Sequence, residues 1–161
     1  MPQPQGKFES LIQENRKILY KVCHAYCADR NSREDLAQEI LIQLWRSFGS
    51  FDGRCRFSTW MYRVALNVAI SFYRKTKALP EIAGGERLDN IAGQPTGQNE
   101  EMEFLHALIE RLDPLNKALM LLYLDEHSYR EIADALGISE TNVATKINRI
   151  KSKIREEYGT R

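Results

Sequence analysis

Residues 128–155 read SYREIADALGISETNVATKINRIKSKIR, and the way this stretch divides decides the fold. Ile132, Ala133 and Leu136 give an apolar side to a short helix behind Ser128, a residue type that favours helix N-caps. Gly137 supplies the positive φ that a sharp helix–helix turn needs. Ile138 plugs the corner, and small Ala133 permits close approach of the next helix. Ser139 caps that helix, which extends to about Tyr158 and lines up Val143, Ile147, Ile150 and Ile154 on one face. The opposite face collects Asn142, Thr145, Lys146, Arg149 and Lys153. This is the layout of a helix-turn-helix. Its short polar groups near the helix start suit base edges, and its long cations farther along suit phosphates.

The charge pattern agrees. No acid lies between Thr141 and Arg155, a stretch that holds Lys146, Arg149, Lys151, Lys153 and Arg155. Gly53–Pro80 is equally free of acids and holds Arg54, Arg56, Arg63, Arg74, Lys75 and Lys77. A solvated face kept soluble by Lys and Arg would mix signs. The whole chain has a formal charge of only +1 and a pI near 7.7. A near-neutral protein that sorts its charge this way has two local polyanion sites, and two spaced basic faces suggest two contacts along one duplex.

At 161 residues the length allows one ordinary domain or two small ones. The 43% hydrophobic content is enough for folded cores, and no apolar run approaches the ~20 residues of a membrane span. Met1–Gly6 lacks a signal-peptide pattern, so the expected location is the cytoplasm. Cys23, Cys27 and Cys55 are odd in number and show no C-x-x-C pairing, which argues for reduced thiols over a disulfide or zinc site. His24 leaves a thin metal or redox option.

Helical periodicity organises the remainder. Lys7–Ala28 carries Phe8, Leu11, Ile12, Ile18, Leu19, Val22, Cys23 and Tyr26 as one stripe. Ser32 begins a second helix with Asp35 three residues on, and its apolar face is Ala37, Ile40, Leu41, Leu44, Trp45 and Phe48. Gly49, Asp52 and Gly53 break the chain. Ser58 caps a third helix to about Lys77. Projected at roughly 100° per residue, its core face is Phe57, Met61, Val64, Ala65, Val68 and Phe72. Beside that face lies a narrow stripe of Trp60, Arg63, Asn67, Ser71 and Arg74. Aromatics hold unstacked bases and Asn reads an adenine edge, so the stripe suits nucleic acid. The alternative places Trp60 in the core.

From Leu79 to Glu100 the stripe disappears, Pro and Gly accumulate, and Glu81, Glu86, Asp89 and Glu100 turn the charge acidic. Beyond it Met102, Leu105, Leu108, Ile109 and Leu112 form another stripe, and Asp113-Pro114 starts a helix through Leu124. The expected fold is all-α: two small helical domains, 1–78 and 101–161, joined by a flexible acidic linker at 79–100. No segment alternates at period two, so no sheet is expected.

On the second helix Asp35, Gln38, Glu39, Gln43 and Arg46 share a polar face with Ile42 in its midst. An apolar residue there has no local reason and points to an outside partner. That partner should be protein, because carboxylates repel phosphate.

Asp35-Leu36-Ala37-Gln38-Glu39, then Phe57-Ser58-Thr59-Trp60 with Asn67, then the helix-turn-helix resemble the ECF (extracytoplasmic-function) sigma factors of the bacterial sigma-70 superfamily. The likeness covers roughly Phe8–Lys77 and Glu101–Glu157. It implies a sigma region 2 domain that binds core RNA polymerase through Asp35, Gln38, Glu39 and Ile42. It further implies that this domain opens the −10 promoter element with Arg56, Trp60, Arg63, Asn67 and Arg74 and the preceding Gly49–Arg56 loop. A region 4 domain would read −35 DNA with Thr141, Asn142, Thr145, Lys146, Arg149 and Lys153. The chain departs from the family pattern at Thr141-Asn142-Val143-Ala144, where Gly-Thr-Val-Lys is frequent. The implied partners are core RNA polymerase, promoter DNA and an anti-sigma factor, with no membrane insertion, no small-molecule substrate and no cofactor. No nucleophile–base set, metal cluster or glycine-rich phosphate loop points to an enzyme. Two competing readings stay open at this point: a free-standing helix-turn-helix regulator, and a nucleic-acid enzyme or single-strand-binding module.

Overall fold

The computed structural model describes residues 4–78 and 107–159, and every regular element in them is helical. The chain forms two compact units, 1–94 and 95–161. The acidic stretch 79–100, with Met102 and Leu105, lies outside the described residues.

In the first unit α1 (Pro4–Glu14) and α2 (Arg16–Tyr26) divide what the sequence presents as one continuous stripe. Asn15 makes the break. Its side-chain amide donates to the Leu11 carbonyl at 2.9 Å, competing with the helix ladder, and its backbone leaves helical geometry at φ −115°. Next comes α3 (Arg30–Ser47), which begins earlier than the expected Ser32 cap. Asp29 is the actual N-cap, and its carboxylate accepts the Ser32 N–H at 2.9 Å. That bond holds the Asp29 carboxyl below its ordinary range. A 3-10 turn, Phe48–Ser50, and an irregular loop lead into α4 (Phe57–Ala78). Ser58 therefore lies inside the first turn of α4 and does not cap it; the Arg56 carbonyl accepts the Trp60 N–H at 3.1 Å.

Helix α4 packs against both α2 and α3, and this corrects its expected core face. Met61, Tyr62, Ala65, Leu66 and Ala69 are fully buried, whereas Val64, Val68 and Phe72 are only partly covered. A helix wedged between two neighbours buries a wider arc than one stripe. On α3 the fully buried residues are Leu36, Ile40 and Leu44, while Trp45 is 48% exposed and rests its ring on Phe8 at 5.1 Å. Each fully buried large aliphatic side chain contributes about 1.5–3 kcal/mol.

The second unit holds α5 (107–111), α6 (Pro114–Leu124), α7 (Tyr129–Leu136) and α8 (Glu140–Gly159). Here the expected boundaries and caps match. Asp113 accepts the Asn116 N–H at 3.1 Å ahead of Pro114. Ser128 and Glu131 form a reciprocal capping box, each bond 3.1 Å. Gly137 adopts φ +69°, and the N–H groups of Gly137 and Ile138 both donate to the Ala133 carbonyl. The Ser139 hydroxyl accepts the Asn142 N–H at 3.1 Å and starts α8. Leu119, Leu122, Ile132, Val143 and Ile147 form the sealed core.

Candidate nucleic-acid interface

On α8 the core side fixes the outer side. Val143 and Ile147 are fully buried and Ile150 nearly so, which turns Thr141, Asn142, Thr145, Arg149 and Lys153 to solvent, with Lys146 half-buried at the flank. Thr145 is partly committed, since its hydroxyl donates to the Thr141 carbonyl at 2.9 Å. That bond leaves its oxygen able only to accept. Lys153 shares a small apolar recess with Leu108, Ile109 and Leu112, so its stem is packed while its ammonium reaches outward. Lys151 belongs to a different surface. Its ammonium sits 4.6 Å from the centre of the Tyr123 ring on α6, and its contact with Tyr123 raises its pKa. Of the cations in this acid-free stretch, Lys151 is therefore occupied within the unit.

In the first unit Trp60 is neither sealed in the core nor free. Its ring lies 5.3 Å from Phe51, 5.4 Å from Phe57 and 6.3 Å from Phe48, and the residue is half-buried. Arg56, Arg63, Asn67 and Arg74 are exposed, so the narrow stripe exists on the surface beside the aromatic cluster. The loop before α4 is shaped by Gly53 at φ +78° and by Asp52, which accepts the Arg54 N–H at 3.0 Å and pairs with its guanidinium at 3.1 Å. Arg54 is thereby tied back onto the loop.

Asp35, Gln38, Glu39 and Ile42 are all exposed on α3, Ile42 by 51%. The geometry adds something the sequence did not offer. Glu39, Ile42, Gln43 and Arg46 form one wall of an open groove, and Val64, Asn67, Val68 and Lys75 of α4 form the other. The groove thus has an apolar floor of Ile42, Val64 and Val68 under a polar rim. Asn67 sits on the border, belonging both to the stripe and to the groove. Val64 and Val68 were hidden from periodicity because they look like core positions. Asp35 and Gln38 lie outside the groove lining.

The cysteines occupy two environments. Cys23 and Cys27 are buried, and burial pushes the Cys23 thiol up to about 11; Cys55 is exposed in the loop. Among the described residues no three His, Cys, Asp or Glu side chains converge as a metal site, and no helix is long and apolar enough to cross a membrane.

Comparison with known proteins follows this division. Residues 11–78 match the family model of sigma-70 region 2, and residues 104–154 match that of sigma-70 region 4. The chain is 28% identical to the ECF RNA polymerase sigma factor SigW of Bacillus subtilis, over 95% of this chain and 89% of that protein. Among solved structures it resembles CnrH in complex with the cytosolic domain of CnrY, with a TM-score of 0.68 at 19% identity, covering 97% of this chain and 90% of that one. It also resembles the sigma factor RpoE in complex with the anti-sigma factor NepR from Bartonella quintana, with a TM-score of 0.64 at 17% identity, covering 92% and 96%. Two sigma-70 regions in family order, each on its own compact helical unit, show that the chain belongs to the sigma-70 family as an ECF sigma factor, a protein of transcription initiation.

Proposed function

We propose that this chain is the promoter-specificity subunit of a bacterial RNA polymerase and performs no chemistry of its own. The α3 face of Asp35, Gln38, Glu39 and Ile42 docks on core polymerase. Arg56, Trp60, Arg63, Asn67 and Arg74 hold the opened −10 strand, where an aromatic surface offsets part of the few kcal/mol spent in unstacking a base. The α8 face of Thr141, Asn142, Thr145, Lys146, Arg149 and Lys153 reads the −35 duplex.

The observation that carries this reading is the sorting of exposed chemistry. Each cationic face is backed by a sealed core within its own unit, while the acidic-apolar α3 face, unsuited to phosphate, is open in the same unit as the stripe. A free-standing duplex reader leaves the stripe unexplained. An anti-sigma factor is a further partner in this reading; the solved RpoE complex holds such a protein. The division into region 2 (1–78), linker (79–100) and region 4 (101–161) and a cytoplasmic site of action belong to the same proposal.

Run-off transcription with purified core polymerase tests it. A promoter-dependent start that requires this chain, and that is lost in Ile42→Glu, is expected. Failure to associate with core polymerase, or starts that ignore the promoter, would overturn the proposal.

A further inference from the structure

A third stretch of the chain, Arg16–Ala28, also lacks any acidic residue, and it coincides with α2. Ile18, Val22, Cys23 and Tyr26 bury one side of that helix. Arg16, Lys17, Tyr20, Lys21 and His24 then fall together on the other, at the i, i+4 and i+1, i+5 positions that share a helix face. Arg16, Lys17, Tyr20 and Lys21 are exposed, Tyr20 by 65%, and His24 is half-buried.

The Tyr20 ring does not project loosely from this face. It lies against the His24 imidazole with centroids 3.8 Å apart and planes inclined by 30°. The imidazole is itself fixed, because its Nδ1 bonds the Tyr20 carbonyl at 2.9 Å, and a carbonyl only accepts, so Nδ1 carries the proton. One face of the phenol is thus supported and the other is open to solvent. Lys17 and Lys21 stand one turn apart, about 6 Å along the axis, beside that open ring.

We propose that the outward face of α2 is a further nucleic-acid contact of this protein, in which Arg16, Lys17 and Lys21 take backbone phosphates and one unpaired base extends the His24–Tyr20 stack. Phosphate attraction explains an acid-free face in a chain of net charge +1. The supported ring explains the choice of an unpaired strand, since stacking needs a base out of its helix. An anionic membrane fits less well. An interfacial helix inserts apolar side chains, and this face offers none beyond the phenol.

The test is fluorescence anisotropy of the full chain with a labelled oligo(dT) strand between 50 and 200 mM salt. Lys17→Gln with Lys21→Gln should flatten the log–log salt slope by roughly 1.4, at about 0.7 per phosphate on a single strand, which makes the loss over that salt range ~7-fold smaller. Tyr20→Leu should weaken binding by roughly 5-fold or more and leave the slope unchanged. All three residues are exposed, and unchanged circular dichroism would verify that the fold is kept. Wild-type affinity and slope in these variants would overturn the proposal. So would a wild-type chain that ignores the strand, or variants that lose only binding to phosphatidylglycerol vesicles. Run-off transcription on the same variants keeps this outcome distinct from failure of the promoter-subunit proposal, which is read with Arg63→Gln and Ile42→Glu.

Discussion

Neutralising Lys153 while leaving Lys151 alone, and the reverse, separates two lysines that sequence places in one basic run. Arg149 and Lys153 stand on the outer face of α8, away from fully buried Val143 and Ile147, with half-buried Lys146 at the flank. If each neutralises one phosphate of duplex DNA, the three together give a log–log salt slope of about −2.7, at roughly 0.9 per contact. Raising salt from 50 to 200 mM then weakens this contribution by ~40-fold, and by only ~12-fold when one contact is removed. Lys153→Gln is preferable to Ala because the Lys153 stem lies in the recess with Leu108, Ile109 and Leu112, and truncation would confuse packing with charge. Lys151 sits over the Tyr123 ring, 4.6 Å from its centre, so Lys151→Gln should leave the slope unchanged and lower the melting temperature of the second unit. The assay is anisotropy of a labelled promoter fragment with holoenzyme assembled on the full chain, titrated across that salt range. Equal flattening by both substitutions, or none by Lys153→Gln, would refute the division of α8 into a phosphate face and a packing face.

Asn142→Ala should relax base choice at one position of the −35 site, with a loss of about 1–3 kcal/mol for a bidentate contact; a uniform loss over all base substitutions would make Asn142 a backbone contact. Ile147→Ala opens a cavity in a sealed core and should cost about 2–5 kcal/mol in urea unfolding followed by helix signal, and a value under 1 would mean the site collapses freely. Asp29→Ala should cost about 0.5–2 kcal/mol through loss of the α3 cap. Because the Ser32 N–H bond depresses the folded pKa of Asp29, its stabilisation is present above the unfolded carboxylate range and is lost as pH falls through the depressed value; Asp29→Asn should keep the cap and abolish that acid-side dependence.

The second unit was legible almost residue by residue because each boundary there has its own chemistry. Asp113-Pro114, Ser128 with Glu131, Gly137 and Ser139 leave few competing places to begin or end a helix. The first unit lacks such punctuation. Asp29 and Ser32 are both good caps, and polar Arg30 and Asn31 give the apolar stripe no means to choose between them. Asn15 interrupts a stripe whose apolar residues continue on both sides, so the hydrogen bond its side-chain amide donates to the Leu11 carbonyl is what marks the break. The candidate residues on α3, α4 and α8 were visible as types and spacing. The α3–α4 groove was not, because it depends on Val64 and Val68 being left uncovered by the crossing of two helices, which no single helical wheel contains. The α2 face was missed for a related reason: its three cations are too few to stand out as a run, and only the stacked Tyr20–His24 pair gives them a shape.

The sequence offers Trp60 as either a core residue or a stacking platform, and its setting makes the two compatible. Three phenylalanine rings at 5.3–6.3 Å hold the indole in place, which removes most of the rotamer freedom that a lone exposed tryptophan would forfeit on meeting a base. Those rings come from the 3-10 turn at Phe48, the loop at Phe51 and the first residue of α4, so the cluster also ties the loop to the helix that carries the stripe. The platform and the loop beside it are therefore set by one packing arrangement. Phe8 extends that arrangement to α1, 5.2 Å from Phe48, while its other contact is Trp45 near the end of α3. A strand held at Trp60 would consequently press on a ring network that reaches Trp45 of α3, the helix that also carries Gln38 and Ile42.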